Sequence, residues 1–288
     1  MQIKLRYAVH VVVLATISLC SAFTVCAQTG TTPGQSNPDS PGAEGSISTG
    51  KDTSPLNFAN ALNITAAREA DAFKTFQNIP DAQFEKKVKA GDDFLRKYSN
   101  SVLVPFVHSI LSVTYIQGGQ PEKGFAEGEK ALSIRSNDTR TLANLAQAMA
   151  RLNNADVPNR VEKAEQYAQK CIQLTPTLPR PEGTSVQDFA ADNNKNLAMA
   201  HSALGTVNIR RGNYAAAIPD LEEAIRLDAG KDPANFYLLG VASQNSSHYA
   251  EAADAFSKCA AIAPANLQPT CRDAAAQAQK RVAAKSGQ

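Results

Sequence analysis

An all-α protein built from stacked helix pairs is what this sequence predicts, and three observations carry that reading. Leu204-Gly205, Gly212-Asn213-Tyr214, Ala217, Leu221 and Ala224 return as Leu239-Gly240, Ser247-His248-Tyr249, Ala252, Phe256 and Cys259, each displaced by 35 positions. From Asn57 onward Pro and Gly fall between segments of helical period, and no alternating strand pattern emerges. The chain has no Trp and is rich in Ala, which suits closely packed helices better than a sandwich or barrel. A fixed period of this size marks supersecondary units that cannot bury their apolar faces alone and therefore stack.

Taken in order, the chain opens with Met1-Gln2-Ile3-Lys4-Leu5-Arg6, then an apolar run from Tyr7 to Cys20, then small residues ending at Val25-Cys26-Ala27. Basic, apolar and small-residue segments in that order predict a signal peptide over residues 1–27, cleaved after Ala27. A retained anchor is the alternative, but crossing a bilayer takes about 20 apolar residues and His10 interrupts a shorter run. Leu19 and Val25 precede Cys20 and Cys26, where a lipoprotein cleavage site would want a small residue. The expectation is an exported protein, periplasmic or secreted, that meets the membrane only transiently through its signal peptide. Residues 28–56 are dominated by Gly, Ser, Thr and Pro and cannot offset their ordering entropy by burial, so they read as a flexible tether. Removing Lys4 and Arg6 from 29 basic residues leaves 27 against 27 acidic ones. A neutral mature chain has no general electrostatic footprint for nucleic acid.

The repeat places helices over Asn196–Arg211, with Leu197, Ala200, Leu204 and Val207 on one face, and over Tyr214–Leu227, with Gly212-Asn213 between them. The next copy runs from Pro233 to Asn245 and from Tyr249 to Ile262, closed by Pro264. Upstream, Ala164, Ala168, Cys171 and Pro176 keep the same offsets behind a helix carrying Leu142, Leu145 and Ala146, with a longer turn over Asn153–Val161. An earlier unit is marked by Leu111, Tyr115, Gly119, Gly124, Gly128 and Ala131. Its second helix is the weakest of the set, because each interior Gly costs roughly 1 kcal/mol relative to Ala. Phe94 to Ser101 closes a still earlier unit. Thr177 to Lys195 reads as an irregular insertion holding a short helix, Val186 to Ala191. Gln268 to Ala284 forms a terminal helix whose wet face carries Arg272, Asp273, Gln277, Lys280 and Arg281.

These residues resemble the tetratricopeptide repeat, with Gly205 and Gly240 at the small eighth position, Ala217 and Ala252 at the twentieth, Ala224 and Cys259 at the twenty-seventh, and Pro264 at the end. The resemblance implies a right-handed α-solenoid of about five helix pairs over residues 57–286, clearest at 198–232 and 233–266, with a capping helix over 267–286. It further implies a non-catalytic protein–protein interaction scaffold of the bacterial envelope, taking a peptide or partner helix on a concave groove lined by the first helix of each unit. The groove positions of the family fall on Arg140, Asn144, Gln147, Arg151, Ser202, Thr206, Arg210, Tyr237, Val241 and Asn245. None is acidic, so the expected groove is polar to mildly cationic and favours ligand carboxylates or backbone acceptors. One branch of the family clamps a C-terminal carboxylate, but Ser109, Val113, Met199 and Ala203 stand where most of that set would be, leaving Asn144 alone. A self-assembling structural envelope protein, and an enzyme using Asp188 and Asp192 of the insertion, stay open as alternatives.

His108, His201 and His248 sit in separate units with no second His or Cys at metal-ligand spacing, so the residues offer no zinc signature. His108 and His201 share the fourth position of their units, which favours a packing role between helices. No metal, cofactor or catalytic residue is expected. Cys171 and Cys259 occupy small buried positions where a thiol behaves as a slightly larger Ala. Cys271 lies as far beyond the Pro264–Asn266 turn as Cys259 lies before it, so a Cys259–Cys271 bridge and a pair of free thiols both stay open.

Overall fold

The computed structural model describes residues 55–152, 159–181 and 183–286, with side chains from residue 66 onward. The expected signal peptide, the tether up to residue 54 and most of the long turn before Val161 lie outside the described residues. The chain divides into two compact units, Met1–Thr75 and Phe76–Gln288. Helix α1, Pro55–Gln77, belongs to the first but for its last two residues.

The second unit is helical throughout its described residues. It runs α2 (Phe84–Lys97), α3 (Val104–Gln117), α4 (Pro121–Ile134), α5 (Thr139–Arg151), α6 (Arg160–Leu174), α7 (Val186–Arg210), α8 (Tyr214–Leu227), α9 (Pro233–Asn245), α10 (Tyr249–Ile262) and α11 (Gln268–Ser286). Neighbours in sequence pack as antiparallel pairs, α3 on α4, α5 on α6, α7 on α8 and α9 on α10, and successive pairs stack through α5 on α7, α6 on α7 and α8 on α9. This is an α-solenoid of helix pairs, and α11 covers the exposed side of α10 as a terminal cap.

Short turns close three of the pairs, α3–α4, α7–α8 and α9–α10, in the same way. Gly119, Gly212 and Ser247 take left-handed backbone, with φ of 75°, 77° and 66°. The next residue in each case, Gln120, Asn213 or His248, donates its N–H back to the carbonyl of Tyr115, Asn208 or Ser243. That satisfies a helix-end carbonyl that would otherwise be orphaned. Asp232 caps α9 by accepting from the Ala234 N–H at 2.9 Å, with Pro233 at the first helical position.

Within a pair, the approach is set by absent side chains. A Cβ on Gly205 would lie 2.5 Å from Leu221 Cγ, and one on Gly240 would lie 2.6 Å from the Phe256 ring. The glycines counted against α4 have the same explanation. A Cβ at Gly124 would meet Ile116 and the Ser112 carbonyl, and one at Gly128 would meet Leu145 and Ser112 Oγ, all under 3 Å. Packing against α3 and α5 therefore outweighs a propensity cost of about 1 kcal/mol per glycine. The main core gathers Leu142, Leu145, Met149, Cys171 and Val207 between α5, α6 and α7.

The insertion differs from its expected form. Val186 does begin a helix, but that helix continues without a break to Arg210, so the stretch is an extension of α7 rather than an excursion between helices. Ser185 caps it, accepting from the Asp188 N–H at 3.0 Å, and its hydroxyl lies 2.7 Å from Asp188 Oδ2.

Cys259 and Cys271 are joined by a disulfide, with Cα atoms 5.8 Å apart, and the bond seats α11 on α10 amid Ala263 and Leu267. Cys171 is a free thiol, and burial pushes its pKa up to about 11, which leaves it unreactive. Thiol titration of denatured, unreduced protein is expected to find Cys171 reactive and neither Cys259 nor Cys271. Cys271→Ser is expected to cost about 3 kcal/mol by the loop-entropy argument, read as a lower denaturation midpoint that reducing agent does not change further.

Candidate functional site

The candidate groove is formed by the first helices α3, α5, α7 and α9, which meet one another through a recurring joint. Thr141 on α5 lies 2.6 Å from Ser109 Oγ on α3 and 2.7 Å from Asp138 Oδ2. With one proton, its hydroxyl donates to the carboxylate and accepts from Ser109. At the equivalent positions of α9 and α7, Asn235 Oδ1 accepts from Ser202 Oγ at 2.6 Å. Between α5 and α7 the same two positions hold Ala143 and Ala200, both fully buried in the main core. The joint recurs at one place in every repeat, polar at both ends of the stack and apolar in the middle.

Arg151, at the C-terminal end of α5, reaches into the α7–α9 joint. Its Nη2 donates to Asp232 Oδ2 at 2.7 Å, Ser202 Oγ at 2.9 Å and Asn235 Oδ1 at 3.1 Å. Asn235 Nδ2 in turn donates to Asp228 Oδ2 at 3.1 Å. Burial raises the Asp228 pKa, opposed by the N–H groups of Gly230 and Asp232 that its carboxylate accepts. Arg210, at the C-terminal end of α7, reaches back to α5. Its Nε donates to the Ala150 carbonyl at 2.6 Å and its Nη2 donates to that of Leu152, two carbonyls left open by the end of α5. Burial, then the nearby charge of Arg160, lowers its pKa.

These placements correct part of the expected groove. Ser202 and Thr206 are buried, and the Thr206 hydroxyl donates to the Ser202 carbonyl at 2.7 Å, so neither presents a side chain to a ligand. Arg151 and Arg210 are committed to internal acceptors rather than standing free as cationic groups. The physical reason is that a first helix shares its inward surface with the next first helix, so polar groups there pair across the joint. Tyr237 and Val241 pack against the cluster of Ala252, Phe256 and Ala275, with the Tyr237 and Phe256 ring centroids 5.5 Å apart. Asn245 is exposed and donates to the Val241 carbonyl. Arg140 is exposed and lies 3.5 Å from Asp192, a surface pair of small energetic weight. Asn144 and Gln147 are half-buried on α5, and their side chains hydrogen-bond to no described residue. The open face is thus polar and nearly uncharged. Sequence reasoning missed Thr141, Asp228, Asp232 and Asn235. The signal was the alignment of small polar residues at the third and fifth positions of successive units.

His108 and His201 hold pairs together from inside. His108 Nδ1 lies 2.6 Å from Glu127 Oε2, and His201 Nδ1 lies 2.9 Å from Asp220 Oδ1, each bond crossing from a first to a second helix over the same sequence interval. Burial acts to raise the Glu127 pKa, but hydrogen bonds from His108 and Lys130 outweigh it and hold the carboxyl below the ordinary value of 4.5. Among the described residues no group of three or more His, Cys, Asp or Glu could hold a metal, and no helix is long and apolar enough to cross a membrane.

The family model described as the tetratricopeptide repeat matches residues 198–231, the span of α7 and α8 that carries Gly205, Ala217 and Ala224. Residues 198–231 therefore form a tetratricopeptide repeat, and the pairs stacked around it share its helix–turn–helix form. Its fold is similar to that of PilF from Pseudomonas aeruginosa, at 17% identity and a TM-score of 0.50 over 74% of this chain and 87% of that one. A thermophilic tetratricopeptide-repeat protein of Thermus thermophilus matches at 15% identity and a TM-score of 0.49, over 73% of this chain and 98% of that one. No curated protein sequence matches the chain.

Arg151→Ala is expected to destabilise the protein by about 2 kcal/mol, because it removes three hydrogen bonds and leaves the partly buried Asp232 carboxylate without its cationic partner. The measurement is a urea unfolding midpoint, and a change within error of wild type would mean the network contributes nothing. The Glu127 bond predicts a pH dependence. A carboxyl with a depressed folded-state pKa supplies stability that is complete above the unfolded-state value and lost as pH falls through the folded-state value. The gap in unfolding midpoint between wild type and Glu127→Gln is therefore expected to be widest near neutrality and to close below about pH 4.5, the ordinary value.

Proposed function

We propose that this tetratricopeptide-repeat protein is a non-catalytic scaffold of the bacterial envelope that takes an extended peptide or a partner helix along its first helices. Tetratricopeptide repeats are protein-interaction scaffolds in general, since stacked pairs present a long, rigid, side-chain-rich surface. The observation that carries the finer reading is the open face of α5. Asn144 and Gln147 stand there with uncommitted amides, each offering both a donor and an acceptor to a peptide backbone. With Arg151 and Arg210 engaged inside, recognition rests on neutral hydrogen bonds and shape rather than on a cationic clamp.

Export is part of the same reading. The basic, apolar and small-residue order of residues 1–27 supports it, and so does the Cys259–Cys271 disulfide, since such bonds persist where the surroundings are oxidising. The test is affinity capture by the exported full chain from its native envelope fraction, beside an Asn144→Ala, Gln147→Ala variant. Two lost hydrogen bonds are expected to weaken the partner by roughly tenfold or more. A partner held equally by both proteins would overturn the α5 assignment.

A further inference from the structure

A different surface, walled by two second helices, carries its own chemistry. Between α8 and α10, above α9, lies an open cleft of about 520 Å³. Its floor is apolar, made by Ile225, Phe236, Leu239 and Ala255. Its rim is acidic: Glu222 stands on α8, and Glu251 and Asp254 stand on α10. Lys258 pairs with Asp254 at 2.7 Å, while Glu222 and Glu251 form no ion pair among the described residues. Ser243, only 2% exposed, also lines the cleft, and its hydroxyl hydrogen-bonds to no described residue.

We propose that this cleft is a second docking site, whose occupant is a basic amphipathic segment of a partner protein. The three features point to the same ligand. An apolar floor of this size takes an aliphatic or aromatic anchor, as in recognition of an amphipathic helix by a groove. Uncommitted carboxylates on both walls favour Lys or Arg flanking that anchor and repel an acidic segment. Ser243 adds one hydroxyl to the lining, able to donate to or accept from a ligand group. The charge is local, since basic and acidic residues balance over the chain once Lys4 and Arg6 are set aside. This surface is separate from the α5 face, so either can fail without the other.

The test uses the full chain and a fluorescent leucine–lysine peptide with leucines at i, i+3, i+4 and i+7, followed by anisotropy at about 0.15 M salt. A peptide of the same composition with its leucines scattered around the helix is the control for charge alone. Two variants address the site, Glu222→Gln with Glu251→Gln, and Ala250→Trp, which fills the cleft from an exposed lining position. Glu122→Gln on α4 with Glu162→Gln on α6 removes the same charge from exposed positions elsewhere. Binding of the patterned peptide is expected to weaken about tenfold or more in both cleft variants and to stay unchanged in the Glu122, Glu162 variant, with the scattered peptide bound weakly throughout. No binding by wild type, equal binding of the scattered peptide, or equal binding by the cleft variants would each overturn the proposal.

Discussion

The structure depends on one constraint: each helix pair must close its open side against the next pair, through its second helix as well as where successive first helices meet. An isolated pair leaves too much surface open, so stability comes from interfaces between neighbours as much as from the pairs themselves. Here the closing contact recurs at the third and fifth positions of successive units, as Thr141 with Ser109, Ala200 with Ala143, and Asn235 with Ser202. The apolar joint contributes burial and tolerates small displacements. The polar joints behave differently, since Asn235 must meet Ser202, Arg151 and Asp228 together or leave groups buried without partners. A polar joint adds little net energy and fixes register, and this stack uses one on each side of its most apolar centre.

That division explains what the sequence made legible and what it did not. Helix pairs, their turns and the glycines of the eighth position follow from local spacing, because close approach and chain reversal are properties of neighbouring residues. Glycine in α4 misled in the other direction. Propensity counts its cost within the helix, whereas Gly124 and Gly128 are required by Ser112, Ile116 and Leu145 on other helices. The unbroken run of α7 was hidden by Pro179, Pro181 and Gly183, which mark the approach to the helix rather than an interruption within it. Arg151 and Arg210 were misassigned for a related reason. Their helical positions place them correctly on the inward face, yet their partners lie 51 to 84 residues away along the chain. Spacing within one helix shows which way a side chain points, and only the stacked neighbour decides whether water or a carboxylate meets it there.

The two faces that remain open differ in kind. The α5 face offers amides on a nearly neutral surface, so its contacts are directional and insensitive to ionic strength. The α8–α10 cleft offers carboxylates around an apolar floor, so its contacts begin with long-range attraction and are completed by burial. The cleft lies on α8, α9 and α10 and the amide face on α5, so the two surfaces belong to different repeats.

The disulfide belongs to the same logic at the end of the stack. In a solenoid the last pair has a neighbour on one side only, so it is where local opening is least opposed. α11 supplies the missing interface through Cys271, Ala275 and Ala278, small residues that let it lie closely on α10. Each Ala side chain there is small and contributes little hydrophobic energy by itself. The Cys259–Cys271 bond makes up the difference by limiting how far α11 can depart when the chain opens. The covalent tie thus adds to a close contact of small side chains, and it lies beside α9 and α10, the helices that form the floor and one wall of the acidic cleft.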